Sequence, residues 1–190
     1  LTIDDGFQSF YDQAWPVLKR EKIPFILFVN TREVGTKGYM DWNQIKEISK
    51  QKFVHIGNHS FSHEYLIDMK DQEIIDDINM ASSNFKSNLG QNSPFFSYPF
   101  GEYSSSFKNI VKDLGFKYAF GQHSGVVDKT KDFYELPRFP INEAYGELKR
   151  FETILKTIPL KVKSIIPEEK YIQDTNNPPE VIVEFFKDQK

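Results

Sequence analysis

Pro24-Phe25-Ile26-Leu27-Phe28-Val29 is the longest apolar stretch of the chain. Its length suits a β-strand and falls far short of a bilayer span, so no transmembrane segment is expected. Outward from it, short apolar runs alternate with longer amphipathic ones. Leu1–Ile3, Val54–Gly57, Phe95–Tyr98, Tyr118–Gly121 and Glu135–Arg138 are further strand candidates. Between them lie helix candidates. Phe7–Glu21 carries apolar residues three and four apart, and Pro16 inside it implies a kink or two shorter pieces. Asp41–Ser49 opens on Asp41 as N-cap, with Gln44 placed for a capping box. Asp71–Leu89 has one apolar stripe through Ile74, Ile78, Ala81 and Phe85, and stops at Gly90. Ser104–Leu114 and Glu143–Lys156 complete the set.

Strands alternating with crossover helices imply an α/β fold with a parallel sheet, doubly wound or closed into a barrel. Six visible strands suit a barrel-like arrangement, and Leu1–Ile3 reads as the end of a strand whose start is missing. Residues 1–166 are expected to form one domain. Glu168–Pro179 is polar and rich in Pro and Asn, and Val181–Phe186 is strand-like again. Residues 167–190 therefore read as a linker and the start of a truncated C-terminal segment.

The 190 residues include 18 Phe and 9 Tyr, enough apolar side chain to build a core and to exclude disorder over most of the length. Net charge is −3 with scattered Lys and Arg, so no clustered basic face is offered to a nucleic acid. Cysteine is absent, which removes disulfides, thiol nucleophiles and zinc–thiolate sites.

Three chemistry-bearing features stand at strand C-termini, where parallel α/β folds bind ligands. The first is Asp4-Asp5-Gly6: strand side chains alternate, so one carboxylate can ligate a metal while its neighbour reaches the same cavity from another angle. An Asx-type turn would use the same residues. The second is His59-Ser60-Phe61-Ser62-His63. On one helical turn this i, i+4 pair would share a face, roughly 5–6 Å apart, and both imidazoles could reach one divalent ion. With the Asp pair they form an Asp/His/His set that leaves coordination positions open, as catalytic metal sites do. His55, inside a strand, reads instead as a packed core histidine. The third is Phe95–Glu102, an apolar strand breaking at Pro99-Phe100-Gly101: an ordinary strand exit, or a candidate oxyanion hole.

These residues resemble the polysaccharide deacetylase family, carbohydrate esterase family four. Thr2-Ile3-Asp4-Asp5-Gly6 stands where the family has Thr-Phe-Asp-Asp-Gly, and His59 to His63 matches its His-[Ser/Thr]-x-x-His. Ile23–Val29 is similar to its second strand, and Ser97-Tyr98-Pro99-Phe100-Gly101 matches Arg-x-Pro-Tyr-Gly in part. The resemblance implies a distorted (β/α) barrel. It implies a divalent metal on Asp5, His59 and His63, with Asp4 as the base that activates water. The Phe100 N–H, with Tyr98 nearby, would meet the oxyanion and substrate. Two histidines and one aspartate favour zinc, while cobalt, nickel or iron also fit. Two family residues are missing: the third-motif Arg, and the His of a late Leu-x-His motif, since no His follows His123. Arg138 is the candidate to hold Asp4, unless it merely lies over aromatics, and His123 the candidate acid, unless it is a loop histidine. Tyr103 and Tyr145 are candidate rim residues. The implied substrate is an N-acetylglucosamine-containing glycan of the bacterial envelope, and an exported location is expected over a cytoplasmic one. A hydrolase of a small amide or cyclic imide, and a non-catalytic glycan-binding module, are the competing readings.

Overall fold

The computed structural model describes residues 1–129, 131–169, 171–172 and 177–186. Five strands, β1 (Thr2–Ile3), β2 (Phe25–Val29), β3 (Val54–Asn58), β4 (Phe95–Ser97) and β5 (Tyr118–Phe120), pair in chain order, all parallel. The sheet curls into a half-barrel, and β1 is short. Four helices cross between them: α1 (Trp15–Glu21), α2 (Trp42–Ser49), α3 (Asp71–Leu89) and α4 (Ser105–Asp113). A parallel strand covered on both faces needs apolar residues at successive positions, and β2 supplies them: Phe25, Leu27, Phe28 and Val29 are buried.

Two clusters of buried side chains form the core. One gathers Phe10, Trp15, Leu18, Leu27, Ile45, Ile48 and Phe85. The other gathers Ile74, Ile78, Phe96, Tyr98, Phe107 and Val111. Helix α3 serves both, because Ile74, Ile78, Ala81 and Phe85 recur at three- and four-residue spacing on one face. The capping box of α2 forms as expected: Asp41 accepts from the Asn43 and Gln44 N–H groups, and Gln44 returns a bond to the Asp41 N–H. The first helical region divides at Pro16, with a π-helical turn over Phe10–Ala14 and then α1, where Pro16 sits in the first turn and removes no needed donor.

Some local expectations change. Glu135–Arg138 runs beside β5 but joins it through a single parallel bridge, Phe120 to Leu136, because the next N–H on that side, that of Arg138, donates to the His123 carbonyl, while the Gly121 carbonyl accepts from the Arg138 side chain. Helix α5 spans only Leu148–Leu155. Ahead of it the Asn142 side chain accepts from the Ala144 and Tyr145 N–H groups, a turn that competes with helix. Strand β6 (Val162–Ile166) pairs antiparallel with β7 (Ile182–Phe185), so the segment read as a linker joins two paired strands; residues 170, 173–176 and 187–190 of it lie outside the described residues. Among the described residues no helix is long and apolar enough to cross a membrane.

Candidate metal centre

Asp4 and Asp5 follow β1 directly, and Asp5 and Gly6 both take positive φ, 73° and 81°. The turn swings the two carboxylates toward the loop after β3. That loop brings in His59 and His63, but not as a helical turn. Ser60 and His63 have φ of 66° and 54°, and residues 59–63 form no helix. The i, i+4 geometry is replaced by a loop folded around polar anchors. The Phe61 and Ser62 N–H groups donate to the two oxygens of Asp77 on α3, at 2.7 and 3.0 Å. The Ser60 N–H donates to Asn58, and the His63 N–H to the Ser60 hydroxyl. Of the five non-glycine residues with positive φ among those described, Asp5, Ser60, His63 and Phe100 all stand here. Such conformations are costly for residues with a Cβ, and they persist where surrounding contacts hold them.

Asp5, His59 and His63 each present a ligand atom, all within 4.8 Å of one another. Asp5 Oδ1 lies 3.6 Å from His59 Nε2 and 3.3 Å from His63 Nε2. This oxygen is buried and has no hydrogen-bond partner among the described residues. A buried carboxylate oxygen left unpaired beside two imidazole nitrogens fits a divalent cation, which would satisfy all three. His59 is oriented for that task, since its Nδ1 lies 2.7 Å from the Ser97 carbonyl. A carbonyl only accepts, so Nδ1 carries the proton and Nε2 keeps its lone pair. Burial holds the His59 imidazole below its ordinary value, against the pull of Asp4. It is therefore neutral near pH 7, as a ligand must be.

Asp4 is held by Arg138. Nη1 and Nη2 donate to its two oxygens at 2.7 and 2.9 Å, Nη2 also reaches the Ser97 hydroxyl, and Nε donates to the Gly121 carbonyl. Burial would raise the Asp4 carboxyl, but charge on His59 and the Arg138 guanidinium pull it down, and the net direction is down. With His59 neutral near pH 7, Arg138 is the cation that keeps Asp4 ionised there.

Residues 1–119 match the sequence profile of polysaccharide deacetylase. The chain belongs to the polysaccharide deacetylase family. A poly-β-1,6-N-acetyl-D-glucosamine N-deacetylase of Staphylococcus aureus is 24% identical over 167 residues, covering 80% of this chain and 58% of the relative. The chain thus spans little more than half the length of that curated relative. Among solved structures, deacetylase PplD of Streptococcus pyogenes in complex with acetate superposes with a TM-score of 0.75 at 22% identity, covering 83% of this chain and 70% of that one. IcaB from Ammonifex degensii gives 0.74 at 26% identity, covering 82% and 72%.

The remaining expected deacetylase-site residues divide. Phe100 sits beside His63, ring centroids 4.8 Å apart, and its N–H has no partner among the described residues. Tyr98 is a correction: its side chain is fully buried, packs on Phe96, Tyr103 and Phe107, and its hydroxyl donates to the Tyr134 carbonyl. It is core, not substrate contact. Tyr103 is likewise buried, whereas Tyr145 is exposed. His55 is exposed rather than in the core, its ring 5.2 Å from that of Phe95. His123 is exposed on the loop after β5; its ring lies 6.3 Å from Tyr103, and its carbonyl accepts from the Arg138 N–H. Asn58, Ser60, Asp77 and Ser97 were not expected from sequence. Asp77 and Ser97 act through partners from other elements, which no local spacing announces, and Asn58 and Ser60 bond within a loop whose shape those partners set.

Proposed function

We propose that this chain removes N-acetyl groups from an N-acetylglucosamine-containing polysaccharide, with a divalent ion on Asp5, His59 and His63. The orphaned Asp5 oxygen between two imidazole nitrogens is the observation that carries the reading. A divalent ion there, zinc being the best fit to two histidines and a carboxylate, would polarise the acetamide carbonyl and lower the pKa of water. Asp4 then accepts the water proton, ionised and aimed by the Arg138 fork. The unpaired Phe100 N–H offers a donor to the oxygen on which charge develops. As the C–N bond breaks, the amine needs a proton, and His123 is assigned that transfer. Acetate and a free glucosamine amine are the products. The name of the Staphylococcus aureus relative supports a β-1,6-linked polymer as substrate.

Acetate release from β-1,6-linked N-acetylglucosamine oligomers by the metal-loaded chain tests this. The wild type should release acetate, faster per sugar from oligomers than from monomer. Asp4→Asn should lose at least about a thousandfold while keeping its metal. A wild type inactive on every N-acetylated glycan sinks the reading.

A further inference from the structure

Two exposed rings beside the candidate metal centre have no part in the chemistry above. Phe100 and Tyr65 stack with centroids 4.0 Å apart and planes 5° from parallel. Tyr65 is 50% exposed and Phe100 39%. Single exposed aromatics are common and need no explanation, but this pair is built. Phe100 holds its ring there with φ of 57°, a conformation rare for a bulky residue. Tyr65 directly precedes Leu66, which is buried and starts a short 3₁₀ turn, so its backbone is anchored at that point. The rings form a file, His59 to His63 at 4.7 Å, His63 to Phe100 at 4.8 Å, and Phe100 to Tyr65 at 4.0 Å.

We propose that the Tyr65–Phe100 stack is a sugar-binding platform for the residue next to the one being deacetylated. The proposal rests on the polysaccharide reading. A pyranose has faces of C–H groups, which the electron-rich face of an aromatic ring attracts, and a rim of hydroxyls that stays in water. One face of Tyr65 is covered by Phe100, and its exposure leaves the other to meet such a ring. A rigid platform loses little entropy when the sugar arrives, and Phe100 backs Tyr65 so that it cannot tilt away. An acetamide seated at Asp5 and His63 then directs the adjoining sugar along the file of rings.

Calorimetric titration with a β-1,6-linked N-acetylglucosamine tetramer and with the monomer reads the platform directly, in metal-loaded Asp4→Asn protein that does not turn over. The tetramer should bind more tightly than the monomer. Adding Tyr65→Ala should weaken tetramer binding about three- to tenfold. Tyr65→Phe, which keeps the ring face, should stay within about twofold of the parent. Unchanged tetramer affinity in Tyr65→Ala overturns the proposal, as does a parent that binds tetramer and monomer equally. Loss of acetate release from the wild type with this binding pattern intact would count against the catalytic reading alone.

Discussion

Arg138 and Asp4, 134 positions apart, meet through two parallel N–H···O bonds of 2.7 and 2.9 Å. The fork does more than supply charge. It fixes the plane of the carboxylate, while Nε on the Gly121 carbonyl, Nη2 on the Ser97 hydroxyl and the Phe28 ring 5.7 Å below the guanidinium fix the fork. Lysine carries the same charge but cannot make two parallel bonds. Arg138→Lys should therefore lower kcat about ten- to a hundredfold with little change in KM. Metal content, read by elemental analysis, should stay at the wild-type level. A variant with full kcat would make Arg138 a structural residue only.

The same geometry predicts how the chain responds to metal. Asp5 Oδ1 has no hydrogen-bond partner among the described residues, so a bound cation adds a partner that the unfolded chain does not organise. Zinc at a hundredfold excess over its Kd should stabilise the fold by about 2.7 kcal/mol, read as a rise in melting temperature. Asp5→Ala and His63→Ala should each flatten that rise, and a chelator should reverse it in the wild type. A melting temperature indifferent to every divalent ion would remove the metal centre.

How much of this was legible beforehand differs by element. Strand β2 and helix α3 declare themselves, because burying a parallel strand or one helix face demands a local apolar pattern. The capping box of α2 is local too. The structure brings the three metal candidates Asp5, His59 and His63 together, but not through the expected geometry: the pair His59 and His63 converges through left-handed backbone at Ser60 and His63, not a helical turn. Serine has no propensity for such backbone, and the enrichment of histidine there is too weak to mark one position. Tyr98 failed for a related reason. A tyrosine near a strand end reads equally as rim or core, and only the position of the Tyr134 carbonyl, 36 residues on, decides it.

Asp77 carries a prediction of its own. From helix α3 it accepts both the Phe61 and Ser62 N–H groups, and so sets the loop between the two histidines. Asp77→Ala strands both donors and should cost about 1–3 kcal/mol in denaturant unfolding. Metal affinity should fall about tenfold or more, since residues that orient ligands matter nearly as much as ligands. Asp77→Asn keeps one carbonyl acceptor and should lie between. Wild-type metal affinity in Asp77→Ala would mean the loop holds its shape without the carboxylate.

Glu47 on α2 ties the first helical region to the body of the fold. It accepts from the Tyr11 hydroxyl at 2.6 Å and from Lys19 at 2.9 Å. The Tyr11 hydrogen bond first, and then that of Lys19, lower its carboxyl from 4.5 to about 2. A carboxyl depressed in the folded state binds its proton more readily once unfolded. Its contribution is therefore fully present above about pH 4.5 and is lost as pH falls toward 2. Solvent screens the pair, because the Glu47 side chain is 42% exposed, so the effect is small. It becomes visible by comparison: Glu47→Gln has no such proton to take up, while Asp4 and every other acid titrate alike in both proteins. Unfolding free energy plotted against pH from 6 to 2.5 should fall more steeply for the wild type than for Glu47→Gln, the curves converging at the acid end. Parallel curves would show that Tyr11 and Lys19 bind the carboxylate no better in the folded chain than water does.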